Sequence, residues 1–185
     1  MGRPPKNYFK FVASMDTTEA RLLIERAIHD YPTATWADLG CGTGTFTYAL
    51  AGLLGEGSKV WAVDKLTQYL GTGKGPVAVE FLQMDIERQP LPFNSLDVII
   101  MANTLHYIRD QETFLGRLPH HLIKNGKIVL VEYDTDRSNQ WVPFPVTYDK
   151  AQTLLAEAGF KNIFRIGERP STIRNGMIFA CVGQL

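Results

Sequence analysis

Cysteine is nearly missing: Cys41 and Cys181 are the only two, and they stand 140 positions apart. Neither a disulfide framework nor a zinc site with its short ligand spacing can be assembled from such a pair. Net charge is missing too, with 19 Lys and Arg set against 19 Asp and Glu. A nucleic-acid partner calls for a basic excess that displaces counterions from phosphate, so none is expected. The one basic cluster, Arg3, Lys6 and Lys10 within the first fifteen residues, reads as a solvated tail. No apolar run approaches the roughly 20 residues of a membrane-crossing helix. The N-terminal MGRPPKNYFK has no apolar signal core, and Lys6 stands where a myristoylation motif needs Ser or Thr. These absences lead us to expect a cytoplasmic globular protein with no membrane or nucleic-acid partner. They say nothing about protein partners.

What is present suits a full core. Of 185 residues, 45% are apolar, enough for one domain spanning 1–185. Residues 1–32 read as an N-terminal segment and helix, residues 33–185 as the core. Asp16 followed by Glu19 resembles a capping box, and Ala20, Leu23, Ile24, Ala27, Ile28 and Tyr31 then recur at helical spacing until Pro32. Short apolar segments at Thr35–Leu39, Lys59–Val63, Val79–Gln83, Leu96–Ala102 and Lys127–Glu132 predict five strands. Helical patterns separate them: Phe46 to Leu54, a short helix over Leu66–Leu70, and a helix capped by Asp110 that Pro119 ends or kinks. A further helix over Tyr148–Ala158 closes at Gly159, and two strands follow at Ile163–Ile166 and Met177–Val182. Strands alternating with helices predict an α/β fold, a parallel sheet covered on both faces. The last two strands have only a turn between them and should pair antiparallel.

The chemistry concentrates in Asp38-Leu-Gly-Cys-Gly-Thr-Gly44, between a buried strand and a helix. In a doubly wound sheet that turn lies where ligands bind, and glycines let backbone approach the ligand closely. The spacing departs from the dinucleotide fingerprint G-x-G-x-x-G, because Thr45 occupies the third glycine position. Asp38 would repel a pyrophosphate yet suits an ammonium group, so an amino-acid-bearing nucleoside fits better than a nicotinamide dinucleotide. Asp64 ends the second strand, where a carboxylate can accept from ribose hydroxyls. Asp85-Ile86 ends the third, placed for an adenine amino group and a flat apolar wall, or else serving as a plain turn.

Asp38–Gly44, Asp64, Met84-Asp85-Ile86 and Leu96–Asn103 together resemble the successive signature segments of class I S-adenosylmethionine-dependent methyltransferases. The later runs Asn103-Thr-Leu-His-Tyr-Ile108, Leu122–Ile128 and Ala156–Phe160 resemble the small-molecule branch, so the likeness spans roughly residues 33–185. It implies a doubly wound, Rossmann-like seven-stranded sheet in the order 3-2-1-4-5-7-6 with strand 7 antiparallel. It also implies S-adenosyl-L-methionine as cofactor. Gly40, Cys41, Gly42 and Gly44 would then line its methionine and ribose portions, Cys41 through backbone. Asp38 would orient the ammonium, Asp64 with neighbouring Lys65 would hold the ribose, and Asp85 and Ile86 would face the adenine. Asn103 would stand near the methionine end. Three departures are visible: Asn125-Gly126 replaces a glycine pair, Pro119 interrupts a helix, and the segment after Asp64 is short and glycine-rich.

Methyl transfer from a sulfonium needs alignment and a dry pocket, and a base only where the acceptor is protonated. His106, three residues past Asn103, is the candidate base, since histidine titrates near neutrality; a satisfied loop histidine is the competing reading. His120 and His121 read as surface or packing residues. A small-molecule acceptor would be covered by irregular aromatic segments: Tyr8 and Phe11 near the N-terminus, Tyr107 beside His106, and Arg137, Trp141 and Phe144 in the 134–148 stretch. These aromatics serve equally well as core caps. Tyr8 and Trp141 are expected to meet as a lid. A module that binds the cofactor without turnover, and more distantly a nicotinamide-dependent oxidoreductase, are the alternatives.

Overall fold

A computed structural model describes residues 15–28, 33–71, 75–171 and 176–185. Tyr8, Phe11, Tyr31 and Pro32 lie outside the described residues, and with them the expected Tyr8–Trp141 lid.

Seven strands form one sheet: β1 (Thr35–Leu39), β2 (Lys59–Asp64), β3 (Ala78–Gln83), β4 (Leu96–Ala102), β5 (Leu122–Asp134), β6 (Lys161–Pro170) and β7 (Met177–Gln184). Their order is β3-β2-β1-β4-β5-β7-β6, as expected. Pairing is parallel from β3 through β5, and β7 runs antiparallel to both β5 and β6. The near-continuous apolar run of β4 has a simple cause. Val98 and Ile100 pack on one face with Trp36, Val60 and Leu50, while Ile99 and Met101 pack on the other with Phe114, Leu115 and Leu155. A strand buried on both sides cannot alternate with polar residues.

Helices α1 (Thr17–Ile24) and α2 (Thr45–Ala51) cover the first face; α3 (Gln111–Arg117) and α4 (Tyr148–Glu157) cover the second. The capping box forms: Asp16 accepts from the Glu19 amide at 2.8 Å, and Glu19 accepts from the Asp16 amide at 3.0 Å. The helix is shorter than its periodicity predicts, tightening at Glu25–Ala27 into a 3-10 turn that keeps Ala27 and Ile28 buried. Pro119 acts as expected, because α3 gives way at Leu118–His121 to a 3-10 turn that needs no amide from it.

The predicted helix over 66–70 does not form. Its first amide, on Leu66, is taken by the Asp64 carboxylate at 2.9 Å, and the Thr67 hydroxyl pairs with Gln83 at 3.0 Å. Leu66 and Tyr69, which an amphipathic helix would bury, face solvent. Strand β5 is longer than predicted at both ends. Leu122 pairs with Leu96 before a register shift around Asn125-Gly126, and Tyr133 and Asp134 pair with Ile178 and Met177. Among the described residues, no helix is long and apolar enough to cross a membrane.

Candidate active site

The C-terminal ends of β1, β2, β4 and β5 bring the predicted residues to one rim. The glycine turn is fixed there through backbone. Gly40 and Cys41 both donate to the Val63 carbonyl, at 2.8 and 2.9 Å, and Gly44 donates to the Cys41 carbonyl at 2.9 Å. Gly42 donates to the Asp64 carboxylate at 2.9 Å. The three glycines share left-handed backbone for different reasons. A Cβ on Gly40 would fall 2.3 Å from the Thr104 hydroxyl, and one on Gly44 would fall 2.7 Å from Leu70. A Cβ on Gly42, at φ +49°, would meet no atom of the described residues within 4 Å. Two glycines are required by packing; Gly42 opens onto vacant space.

Asp38 lies beneath this turn, fully buried in β1. One carboxylate oxygen accepts from the Thr47 hydroxyl of α2 at 2.6 Å, and the other, Oδ1, has no partner among the described residues. Burial pushes the Asp38 carboxyl up to about 7, because desolvation penalises the charged form. Burial likewise raises the Cys41 thiol, so it stays protonated and inert. Asp64 uses both oxygens on backbone, for Gly42 and Leu66, and each retains a lone pair. Lys65 is exposed, with its carbonyl accepting from Gln83. Asp85 caps its own turn by accepting from the Glu87 amide at 3.1 Å, and Ile86 is buried against the α3 side of the core.

Asn103 follows β4 in a left-handed conformation, φ 52°, with its amide donating to Val131 at 2.8 Å. Its side-chain Oδ1 is buried with no partner among the described residues. The Thr104 hydroxyl lies 3.2 Å from the Gly40 carbonyl and 3.1 Å from that of Ala102, tying this loop to the glycine turn. A 3-10 turn, Leu105–Tyr107, then buries His106. Its Nδ1 meets the buried Glu132 carboxylate of β5 at 2.5 Å.

A cavity of about 810 Å³ adjoins this loop, with Asn103, His106, Tyr107, Tyr133, Arg137 and Trp141 among its lining residues. Its size is that of a small-molecule site. Phe144 is not among its lining residues: its amide donates to the His106 carbonyl at 3.0 Å and its ring packs 5.6 Å from the Arg109 guanidinium. The Phe144 ring props the loop rather than facing the cavity. Glu132, Tyr133 and Thr104 escaped sequence reasoning. The one usable signal was a single acid, Glu132, ending the apolar run Ile128–Val131.

Among the described residues, no group of His, Cys, Asp and Glu is arranged to hold a metal ion. The family model that matches, over residues 37–130, describes a methyltransferase domain. The chain is 29% identical over 118 residues to the ubiquinone/menaquinone biosynthesis C-methyltransferase UbiE of Burkholderia mallei, covering 60% of this chain and 46% of that protein. It therefore spans less than half the length of the curated relatives it matches. Among solved structures it resembles the 1,6-didemethyltoxoflavin-N1-methyltransferase of Burkholderia thailandensis, which was crystallised with S-adenosylhomocysteine. That match has a TM-score of 0.68 and 17% identity, covering 92% of this chain and 79% of that one. The YcgJ protein of Bacillus subtilis matches at a TM-score of 0.67 and 13% identity, covering 90% and 98%.

Proposed function

The chain belongs to the methyltransferase domain family, and we propose on that premise that it transfers the methyl group of S-adenosyl-L-methionine to a small-molecule acceptor. One observation carries the reading. Two buried side-chain oxygens, Asp38 Oδ1 and Asn103 Oδ1, have no partner among the described residues and flank a glycine turn whose central residue has open space before it. Orphaned buried acceptors are costly unless a ligand supplies donors, and an ammonium group supplies three. A pyrophosphate supplies none.

In this reading Asp38 and Asn103 receive the methionyl ammonium, and Gly42 lets the ligand lie on backbone. Asp64 uses its remaining lone pairs for ribose hydroxyls, while Asp85 and Ile86 bound the adenine side. When bound, the cofactor supplies an electrophilic methyl on a sulfonium sulfur, transferred by in-line displacement. The rest falls to the cavity beside Asn103. It must hold the acceptor within roughly 3–3.5 Å of its target and keep water out. His106, which lines it, is the group able to take a proton from the acceptor.

The test combines binding and turnover. Calorimetry with S-adenosylhomocysteine should show one site, and S-adenosylmethionine with a metabolite library should release S-adenosylhomocysteine. Binding of NADH in preference to S-adenosylhomocysteine would refute the cofactor; tight cofactor binding with no turnover across the library would leave a binding module.

A further inference from the structure

Glu132 is 1% exposed and faces a histidine that is 2% exposed. A buried carboxylate costs several kcal/mol unless its oxygens are fully used. Here they are: Oε1 accepts from the amides of Thr104 at 3.0 Å and His106 at 3.3 Å, and Oε2 meets His106 Nδ1 at 2.5 Å. In a neutral imidazole that faces a carboxylate, Nδ1 carries the ring proton and Nε2 keeps its lone pair. No described residue bonds to Nε2. The imidazole lines the cavity between two phenols, Tyr107 with ring centroids 4.3 Å away and Tyr133 at 6.0 Å. Burial first, and the Glu132 charge second, raise both phenols, so each keeps its proton.

The rest of the lining is of another kind. Arg137 lines the cavity with no acid paired to it among the described residues, whereas neighbouring Asp134 is matched by Arg165 at 3.7 Å. Trp141, 63% exposed, adds a flat apolar face to the same lining. A base, aromatic walls and one unpaired guanidinium describe their complement.

Resting on the cavity as the acceptor site, we propose that the acceptor is a flat hydroxylated arene bearing an anionic group, methylated on oxygen. Glu132 is the positioning residue that keeps His106 in the tautomer able to act. The hydroxyl proton passes to Nε2, and the oxygen's electron pair forms the new O–CH3 bond. The pair of the breaking C–S bond stays on sulfur. The imidazolium that results is balanced by Glu132. Arg137 receives the anionic substituent, and Trp141 and Tyr107 bracket the ring.

The probes are 2-, 3- and 4-hydroxybenzoate and 3,4-dihydroxybenzoate, added to the full chain loaded with S-adenosylhomocysteine. At least one should bind by calorimetry, and Arg137→Gln should weaken it tenfold or more while leaving catechol binding unchanged. With S-adenosylmethionine, mass spectrometry should place the added methyl on oxygen. Glu132→Gln keeps an oxygen for the two amides but turns an NH2 toward Nδ1, forcing the Nε2–H tautomer. It should lower kcat by about 10²–10⁴ with KM and S-adenosylhomocysteine affinity unchanged. Nitrogen-15 NMR of the wild type should show His106 protonated at Nδ1, independently of turnover and of whether the variant folds. An Nε2–H wild type, a methyl on carbon or nitrogen, or no hydroxybenzoate binding to protein that holds S-adenosylhomocysteine tightly would each overturn the proposal. Loss of S-adenosylhomocysteine binding itself would instead strike the methyl-transfer reading beneath it.

Discussion

Asp38 gives the site a dependence on pH. Burial raises its carboxyl to about 7 from the ordinary 3.8, with the Thr47 hydrogen bond opposing. Between those values the folded chain binds a proton that the unfolded chain has released, so stability falls as pH rises through this window. The slope approaches ~1.4 kcal/mol per pH unit. Urea unfolding of the unliganded protein at pH 5 and pH 8 should show the loss, and Asp38→Asn should flatten it. A ligand ammonium reverses the preference, so S-adenosylhomocysteine affinity should rise over the same interval in the wild type and not in the variant. Gly42 makes a second prediction. Gly42→Val should abolish cofactor binding in calorimetry, because the side chain enters the open space and also demands left-handed backbone, φ +49°. It should cost the fold only ~1–2 kcal/mol. At this scale much was legible: Asp38, the glycine turn, Asp64 and Asn103 stand at strand ends that apolar runs make visible. Glu132 was not, because its partner His106 is 26 positions away in sequence and only the β4–β5 register brings them together.

Segments, rather than single side chains, decide how the ligand is enclosed. Residues 65–71 lie over the glycine turn as irregular chain, with Leu70 packed near Gly44. Asp64 links the two, bonding Gly42 with one oxygen and Leu66 with the other. Asp64→Ala should therefore weaken S-adenosylhomocysteine binding by ~1.5–3 kcal/mol, and should also raise amide exchange at both Gly42 and Leu66, as a loss of ribose contact alone would not. Across the rim, Trp141 sits on the loop held by the Asn139 side chain, which accepts from the Trp141 amide at 2.9 Å. Trp141→Ala should raise acceptor KM with kcat and cofactor affinity little changed, as measured by initial rates. Periodicity marked where elements lie better than where they stop. The 66–70 segment failed because side chains from Asp64 and Gln83 satisfied its polar groups outside a helix. The ends of β5 are set by pairing with β4 and β7, which composition does not record.

At the scale of the whole molecule, cofactor binding is linked to folding. S-adenosylhomocysteine at about 100 times its Kd should stabilise the fold by ~2.7 kcal/mol, read as a shift in Tm by scanning calorimetry. NADH should produce none. The α/β class and the parallel pairing followed from alternation of strands and helices, and the antiparallel pairing of the last two strands from the turn between them. The strand order rested on the family resemblance alone, since no local pattern states which strand sits beside which.

That order has a consequence for synthesis on the ribosome. Strand β7 lies between β5 and β6, so β6 emerges before the strand that will seat it against the sheet. It must wait in the nascent chain, and it does not wait alone. Helix α1 packs so closely on β6 that a Cβ at Gly167 would fall 2.6 Å from the Leu23 carbonyl, and Glu19 of α1 pairs with Arg169 of β6 at 2.6 Å. Part of the surface that α1 covers is thus put in place only after β7 has been made. The contacts between α1 and β6 await the segment 177–184, which seats β6 on the sheet.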